Sequence, residues 1–70
     1  MGQVARERIA KNIKDLRASK SLKREELSLL MGWDNSYISK LERKTVNITI
    51  DKLEKLADYF QIDILDLLKP

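Results

Sequence analysis

Apolar residues recur along this chain at spacings of three and four, the period of a helix with one buried stripe. Ile9, Ile13 and Leu16 form such a stripe and predict a first helix over residues 4–20. Two short patterns follow, Arg24-Glu25-Glu26-Leu27-Ser28-Leu29-Leu30-Met31 and Asn35-Ser36-Tyr37-Ile38-Ser39-Lys40-Leu41-Glu42-Arg43, joined at Gly32-Trp33-Asp34. A fourth helix is predicted over 50–60 with Leu53, Leu56, Ala57 and Phe60 inward, and a short fifth over 64–68. Only 46–50 has local strand character. The expected core is Ile9, Ile13, Leu16, Leu22, Leu27, Leu30, Ile38, Leu41, Ile50, Leu53, Leu56 and Phe60, with Trp33 packed at the turn. The expected fold is all-α, five short helices in one domain spanning 1–70.

The predicted starts of helices two to five share one device. An apolar residue just outside each helix precedes an apolar residue inside it by five positions: Leu22/Leu27, Trp33/Ile38, Ile48/Leu53 and Ile62/Leu67. This staple spacing sets the angle at which the chain enters the helix. Between the partners, Asp34, Thr49 and Asp63 are suitable N-caps. Lys23 has no acceptor to offer, and Glu25 and Glu26 compensate by putting negative charge in the first turn.

The pair of short patterns joined by a Gly-containing turn has the form of a helix-turn-helix, whose second helix can lie in the DNA major groove. Charge agrees with that reading. Residues 1–44 carry eleven Lys/Arg against six Asp/Glu, a net of +5, whereas 45–70 carry three against five, a net of −2. The basic half thus holds the helix-turn-helix, as a polyanion-binding face requires. The chain has neither cysteine nor histidine, so it offers no thiolate and no imidazole for catalysis or metal binding. It also lacks a Gly-rich phosphate loop, and helix capping accounts for Asp63 and Asp66 better than an ion site does. An enzyme is therefore not expected, and neither is a cofactor. No apolar run approaches the roughly 20 residues that span a bilayer, and the expectation is a soluble, cytosolic protein.

On the second helix of the pair, Ile38 and Leu41 face inward and leave Asn35, Ser36, Ser39, Lys40 and Arg43 outside. Asn pairs bidentately with adenine, Lys donates to guanine, and Ser serves either. Tyr37 can reach a phosphate or a thymine methyl. Lys23, Arg24 and Lys44 surround this helix and are candidates for phosphate contacts, which carry affinity without reading sequence. Glu42 is a poor neighbour for DNA unless neutralised, and Arg17 at the end of helix one is its expected structural partner.

The run Leu22-Lys23-Arg24-Glu25-Glu26-Leu27-Ser28, then Gly32-Trp33-Asp34, then Tyr37-Ile38-Ser39-Lys40-Leu41-Glu42-Arg43 resembles the Cro/C1-type (XRE) helix-turn-helix family. The resemblance extends over residues 9–68. Residues 37–50, including Asn47-Ile48-Thr49-Ile50, look especially like the controller proteins of restriction–modification systems. The resemblance implies a five-helix, lambda-repressor-like domain that binds a palindromic operator as a homodimer. It implies base contacts by Asn35, Ser36 and Lys40 with Ser39 close by, a phosphate contact by Arg24, and the Arg17–Glu42 bridge. It also implies a dimer interface within 59–68. Three departures stand out: Lys23 replaces the usual Ser or Thr cap, Ser28 a usual Ala, and Lys44 and Ile48 a common Gly and Pro. Lys44 matters most, because Gly tolerates φ > 0 and Lys does so poorly.

The leading expectation is a sequence-specific, dimeric transcription regulator of double-stranded DNA. Tyr59, Ile62, Ile64, Leu65 and Leu68 leave apolar surface that a symmetric partner can cover. The alternative is a protein-interaction module of the same fold, such as an antitoxin or adaptor. Such a module is expected to carry an extension for its partner, which residues 1–70 do not include.

Overall fold

The computed structural model describes residues 3–70 and contains four α-helices and a terminal 3₁₀ helix. These are α1 (Gln3–Ser19), α2 (Arg24–Leu30), α3 (Tyr37–Glu42), α4 (Ile50–Phe60) and the 3₁₀ helix Ile64–Leu68. The predicted fifth α-helix is thus a tighter turn over the same residues. Its end is bound to α1, where the Asn12 side-chain amide donates to the Leu67 and Lys69 carbonyls, each at 2.9 Å. No strand forms among the described residues, and 46–50 is largely loop.

α1 packs against α3 and the 3₁₀ helix, α2 against α3, and α4 against the 3₁₀ helix. The core between them contains Ile9, Ile13, Leu27, Ile38, Leu41, Leu53, Leu56 and Phe60, as the periodicity predicts. Two expected members are outside it: Leu30 is 54% and Ile50 63% exposed. Their places are taken by Met31 and Ile48. Met31 is one full turn beyond Leu27 and so shares its face. Ile48 plugs the core from the loop, one residue before the Thr49 cap. Leu16 and Leu22 pack at the core's edge, half-buried, and Leu67 is fully buried.

Helix starts are satisfied in different ways. Thr49 Oγ1 accepts from the Lys52 amide at 3.2 Å, and Asp63 from that of Leu65 at 2.9 Å. Asp66 returns the favour, accepting from the Asp63 amide at 3.2 Å, so both carboxylates serve the backbone. At α2, where Lys23 has no acceptor, Glu26 Oε1 accepts from the Lys23 amide at 2.8 Å.

Helix ends are uniform. Ser21, Gly32, Lys44 and Gln61 each follow a helix with positive φ, at 55°, 75°, 64° and 57°. In every case the residue after it donates back five positions: Leu22 to Arg17, Trp33 to Ser28, Thr45 to Lys40 and Ile62 to Ala57, each at 3.0 Å. This is the Schellman arrangement, which satisfies the last carbonyls while reversing the chain.

Ser28 is the one fully buried polar residue of the described core. Its hydroxyl donates to the Arg24 carbonyl at 2.9 Å and accepts from the Ile38 amide at 3.0 Å. It therefore joins α2 to the start of α3, which explains how a hydroxyl is held where the family that the sequence resembles usually has Ala. Ser28→Ala is expected to lower unfolding stability by about 1 kcal/mol, measured by urea denaturation. An unchanged midpoint at constant slope would mean that the cross-link carries no net stability.

Candidate nucleic-acid interface

The second helix of the pair is shorter than its sequence pattern suggests. Asn35 and Ser36 form a turn, and α3 itself begins at Tyr37. The cause is Asp34. Its Oδ2 accepts from the Ser36 amide at 3.1 Å and from the Ser36 hydroxyl, while its carbonyl accepts from the Tyr37 amide at 2.9 Å. A tight turn therefore closes before the α-helix starts, and Ser36 rather than Asp34 flanks α3. The two Ser36 hydrogen bonds, hydroxyl first, hold the Asp34 carboxyl below its ordinary pKa.

α3 buries Ile38 and Leu41 against the core. Asn35, Lys40 and Arg43 are exposed, and Ser36 and Ser39 are half-buried. Glu42 stands at the edge of this face and is held there by Arg17. Its two carboxylate oxygens accept from Arg17 Nε at 2.9 Å and Nη2 at 3.2 Å, and the pair is only 15% and 8% exposed. Arg17 Nη1 also donates to the Leu22 carbonyl at 2.8 Å. One guanidinium thus ties the end of α1 and the loop after it to the end of α3. Bidentate geometry and a third acceptor are what a desolvated guanidinium needs.

Two open grooves flank α3 and meet at Arg24 and Ser39. The first has a volume of about 530 Å³, and its walls include Lys23, Arg24, Asn35, Ser36 and Ser39. The second, about 460 Å³, includes Arg24, Ser39, Arg43 and Lys44. Seven of the nine residues singled out for DNA contact therefore line one continuous, cationic surface. Lys40 stands on the exposed face beyond both grooves. Tyr37 lines neither: its ring lies 4.9 Å from that of Trp33, tilted by 60°. Burial raises the Tyr37 phenol above its ordinary pKa.

α4 holds the turn from the other side. Lys52 Nζ sits 4.3 Å from the Tyr37 ring centroid and 5.4 Å from that of Trp33, within cation–π range. Lys55 Nζ donates to the Met31 carbonyl at 2.6 Å, at the end of α2. Neither lysine is visible as functional in the sequence, where both read as the polar side of an amphipathic helix. Their i, i+3 spacing puts them on one face, but the aromatic and carbonyl partners come only with the fold.

The residues proposed for self-association lie elsewhere, at the end of α4 and in the 3₁₀ helix. Leu65 is 65% exposed and Tyr59 is also exposed, its ring edge-on to Phe60 at 5.1 Å. Ile62, Ile64 and Leu68 are half-buried against the core.

Residues 13–67 match the helix-turn-helix family. A hypothetical transcription factor of Neisseria meningitidis is 36% identical over 62 residues, which are 89% of this chain and 58% of that relative. The chain thus spans little more than half of that protein's length. Among solved structures, the crystal structure of the hypothetical transcription factor NHTF from Neisseria aligns with a TM-score of 0.88 and 35% identity, over 94% of this chain and 76% of that one. The restriction–modification controller protein C.AhdI from Aeromonas hydrophila aligns with a TM-score of 0.79 and 31% identity, over 89% of this chain and 94% of that one.

The Lys52 contact yields a direct check, because Trp33 is the only tryptophan and reports on the turn. Lys52→Met is expected to lose about 0.5–1 kcal/mol of stability in urea unfolding followed by Trp33 emission. Lys52→Arg, which keeps a cation over the rings, is expected to retain it. Equal losses in both variants would rule out the cation as the stabilising element.

Proposed function

The chain belongs to the Cro/C1-type (XRE) helix-turn-helix family, and from that premise we propose that it is a transcription regulator that reads double-stranded DNA as a homodimer on a palindromic operator. The observation that carries this reading is the division of α3. Its inner residues Ile38 and Leu41 are buried, and its one acid, Glu42, is matched by Arg17, so its outward face is polar and cationic. A short helix held this way can enter the major groove as a rigid unit.

Asn35, Ser36, Ser39 and Lys40 are the proposed base-reading set, with donors and acceptors suited to base edges. Asn35 and Ser36 sit in the turn ahead of α3, a position from which side chains reach forward into the groove. Lys23, Arg24, Arg43 and Lys44 are the proposed phosphate contacts, together with the Tyr37 hydroxyl. Expression of the activity as repression or activation depends on where the operator lies relative to a promoter. That C.AhdI is a restriction–modification controller protein supports a controller role as one form of this reading.

The single recognition helix of the chain supports the homodimer. One chain carries one such helix, so reading two half-sites one helical turn, about 34 Å, apart takes two copies. Leu65, with Tyr59, Ile62, Ile64 and Leu68, is the proposed contact between them.

The test is selection of binding sites from a random duplex library near physiological salt. An enriched inverted repeat is expected; salt-sensitive binding without enrichment would favour a protein partner instead. Lys40→Ala is expected to relax preference at one base position per half-site at a cost of about 1–3 kcal/mol, and an unaltered selected sequence would remove Lys40 from the reading set. Leu65→Glu is expected to shift the sedimentation coefficient to that of a monomer, and a dimer that persists unchanged would move the interface elsewhere.

A further inference from the structure

The second groove has a wall that the reading above leaves without a role. Opposite Arg43 and Lys44, α1 contributes Lys11 and Lys14. Three residues apart on a helix, they project from neighbouring positions on one face. With Arg24, which also lines it, the groove gathers five cations. It holds two carboxylates, those of Glu7 and Glu42. Both Glu42 oxygens are already engaged by Arg17 from outside the groove, and Glu7 accepts from the Gln3 side chain at 3.2 Å. Asp15 touches Lys11 only at the exposed surface, at 3.3 Å. Five cations against two carboxylates leave this one groove an excess of three positive charges, as many as the whole chain carries.

Backbone conformation adds an independent observation. Lys44 occupies its groove position with φ at 64°, where a side chain is disfavoured and Gly is at ease. A lysine kept at such a point concentrates charge on the groove against a local conformational cost. Continuity supplies the third. Arg24 and Ser39 line both grooves, so the α1 wall runs on from the proposed base-reading surface without a break.

We propose that the groove between α1 and the end of α3 is a second phosphate track, in which Lys11 and Lys14 clasp the duplex backbone from the side opposite Arg43 and Lys44. The proposal rests on the DNA-binding reading and extends it to a helix outside the helix-turn-helix. The ligand is the phosphodiester of duplex DNA beside the bases read by α3. Such contacts release counterions and carry no sequence information, so they set affinity and salt dependence alone.

The experiment measures binding of the full chain to its selected operator as a function of salt. Each neutralised phosphate contributes a slope of about 0.9 in log K against log salt. Lys11→Gln/Lys14→Gln is expected to flatten the slope by about 1.8 units per half-site, about 3.6 for the dimer on its operator, while selecting the same sequence. Lys11→Arg/Lys14→Arg is expected to keep the parent slope. Lys20→Gln/Lys69→Gln removes the same charge from outside both grooves and is expected to change the slope far less. A parent-like slope in the Lys11/Lys14 glutamine variant, or equal flattening in the Lys20/Lys69 variant, overturns the proposal and leaves the DNA-binding reading standing. Failure of the unaltered chain to bind duplex DNA overturns both.

Discussion

Helices as short as α2 and α3, at seven and six residues, do not hold together alone in water. Their backbone ends must be satisfied by something other than their own ladders, and that requirement governs the whole molecule. Each of the four α-helices meets it by ending in a left-handed residue whose successor bonds back into the last turn. Two of those successors, Leu22 and Ile62, directly precede the cap of the next helix and act as its apolar lead-in, while Trp33 packs at the turn ahead of α3. One side chain closes a helix and aims the following one. The turns are consequently tight, and the angle between α2 and α3 is set by packing at Trp33 and by the Ser28 hydroxyl.

Charge placement follows the same economy. Glu42 on a surface meant for a polyanion would repel it. The structure removes that repulsion by burying the carboxylate against Arg17, whose third hydrogen bond also secures the Leu22 carbonyl. The neighbouring cations Arg24, Arg43 and Lys44 stay solvated and free to meet phosphate. Stability of the fold and the electrostatics of the face thus depend on one arginine. Its replacement by lysine would lose the planar fork that engages both oxygens together.

Much of this was legible in the residues. The stripes through Ile9 and Ile13 and through Leu53, Leu56 and Phe60 mark α1 and α4 because those helices are long enough for a period to repeat. In α2 the period has no room: Leu29, Leu30 and Met31 are consecutive apolar residues, and docking alone decides that Met31 goes inward. Ile48 was legible as a staple but not as core, since a loop residue's burial has no period. Asp34 reads as an N-cap, and the local competition with Ser36 that delays α3 by two residues is too small to see beforehand. At the candidate site, residue types along α3 suggest recognition chemistry. Asn12, Lys52 and Lys55 do not, because their partners lie 55, 15 and 24 residues away or more and meet them only after folding. The familiar glycine position at Lys44 was the sign that this loop carries conformational cost.

The left-handed helix ends bear on how close this protein stands to its stability limit. Three of the four, Ser21, Lys44 and Gln61, are not glycine. Each costs about 1 kcal/mol, and their separation along the chain makes the costs nearly additive. Together they take up a sizeable share of the roughly 5–15 kcal/mol that holds a typical domain folded. Natural selection has thus left a reserve of unused stability at sites that need no new contact, only the loss of a side chain. At Ser21 and Gln61 that reserve is separate from the cationic face, so this fold can be hardened without altering what it reads.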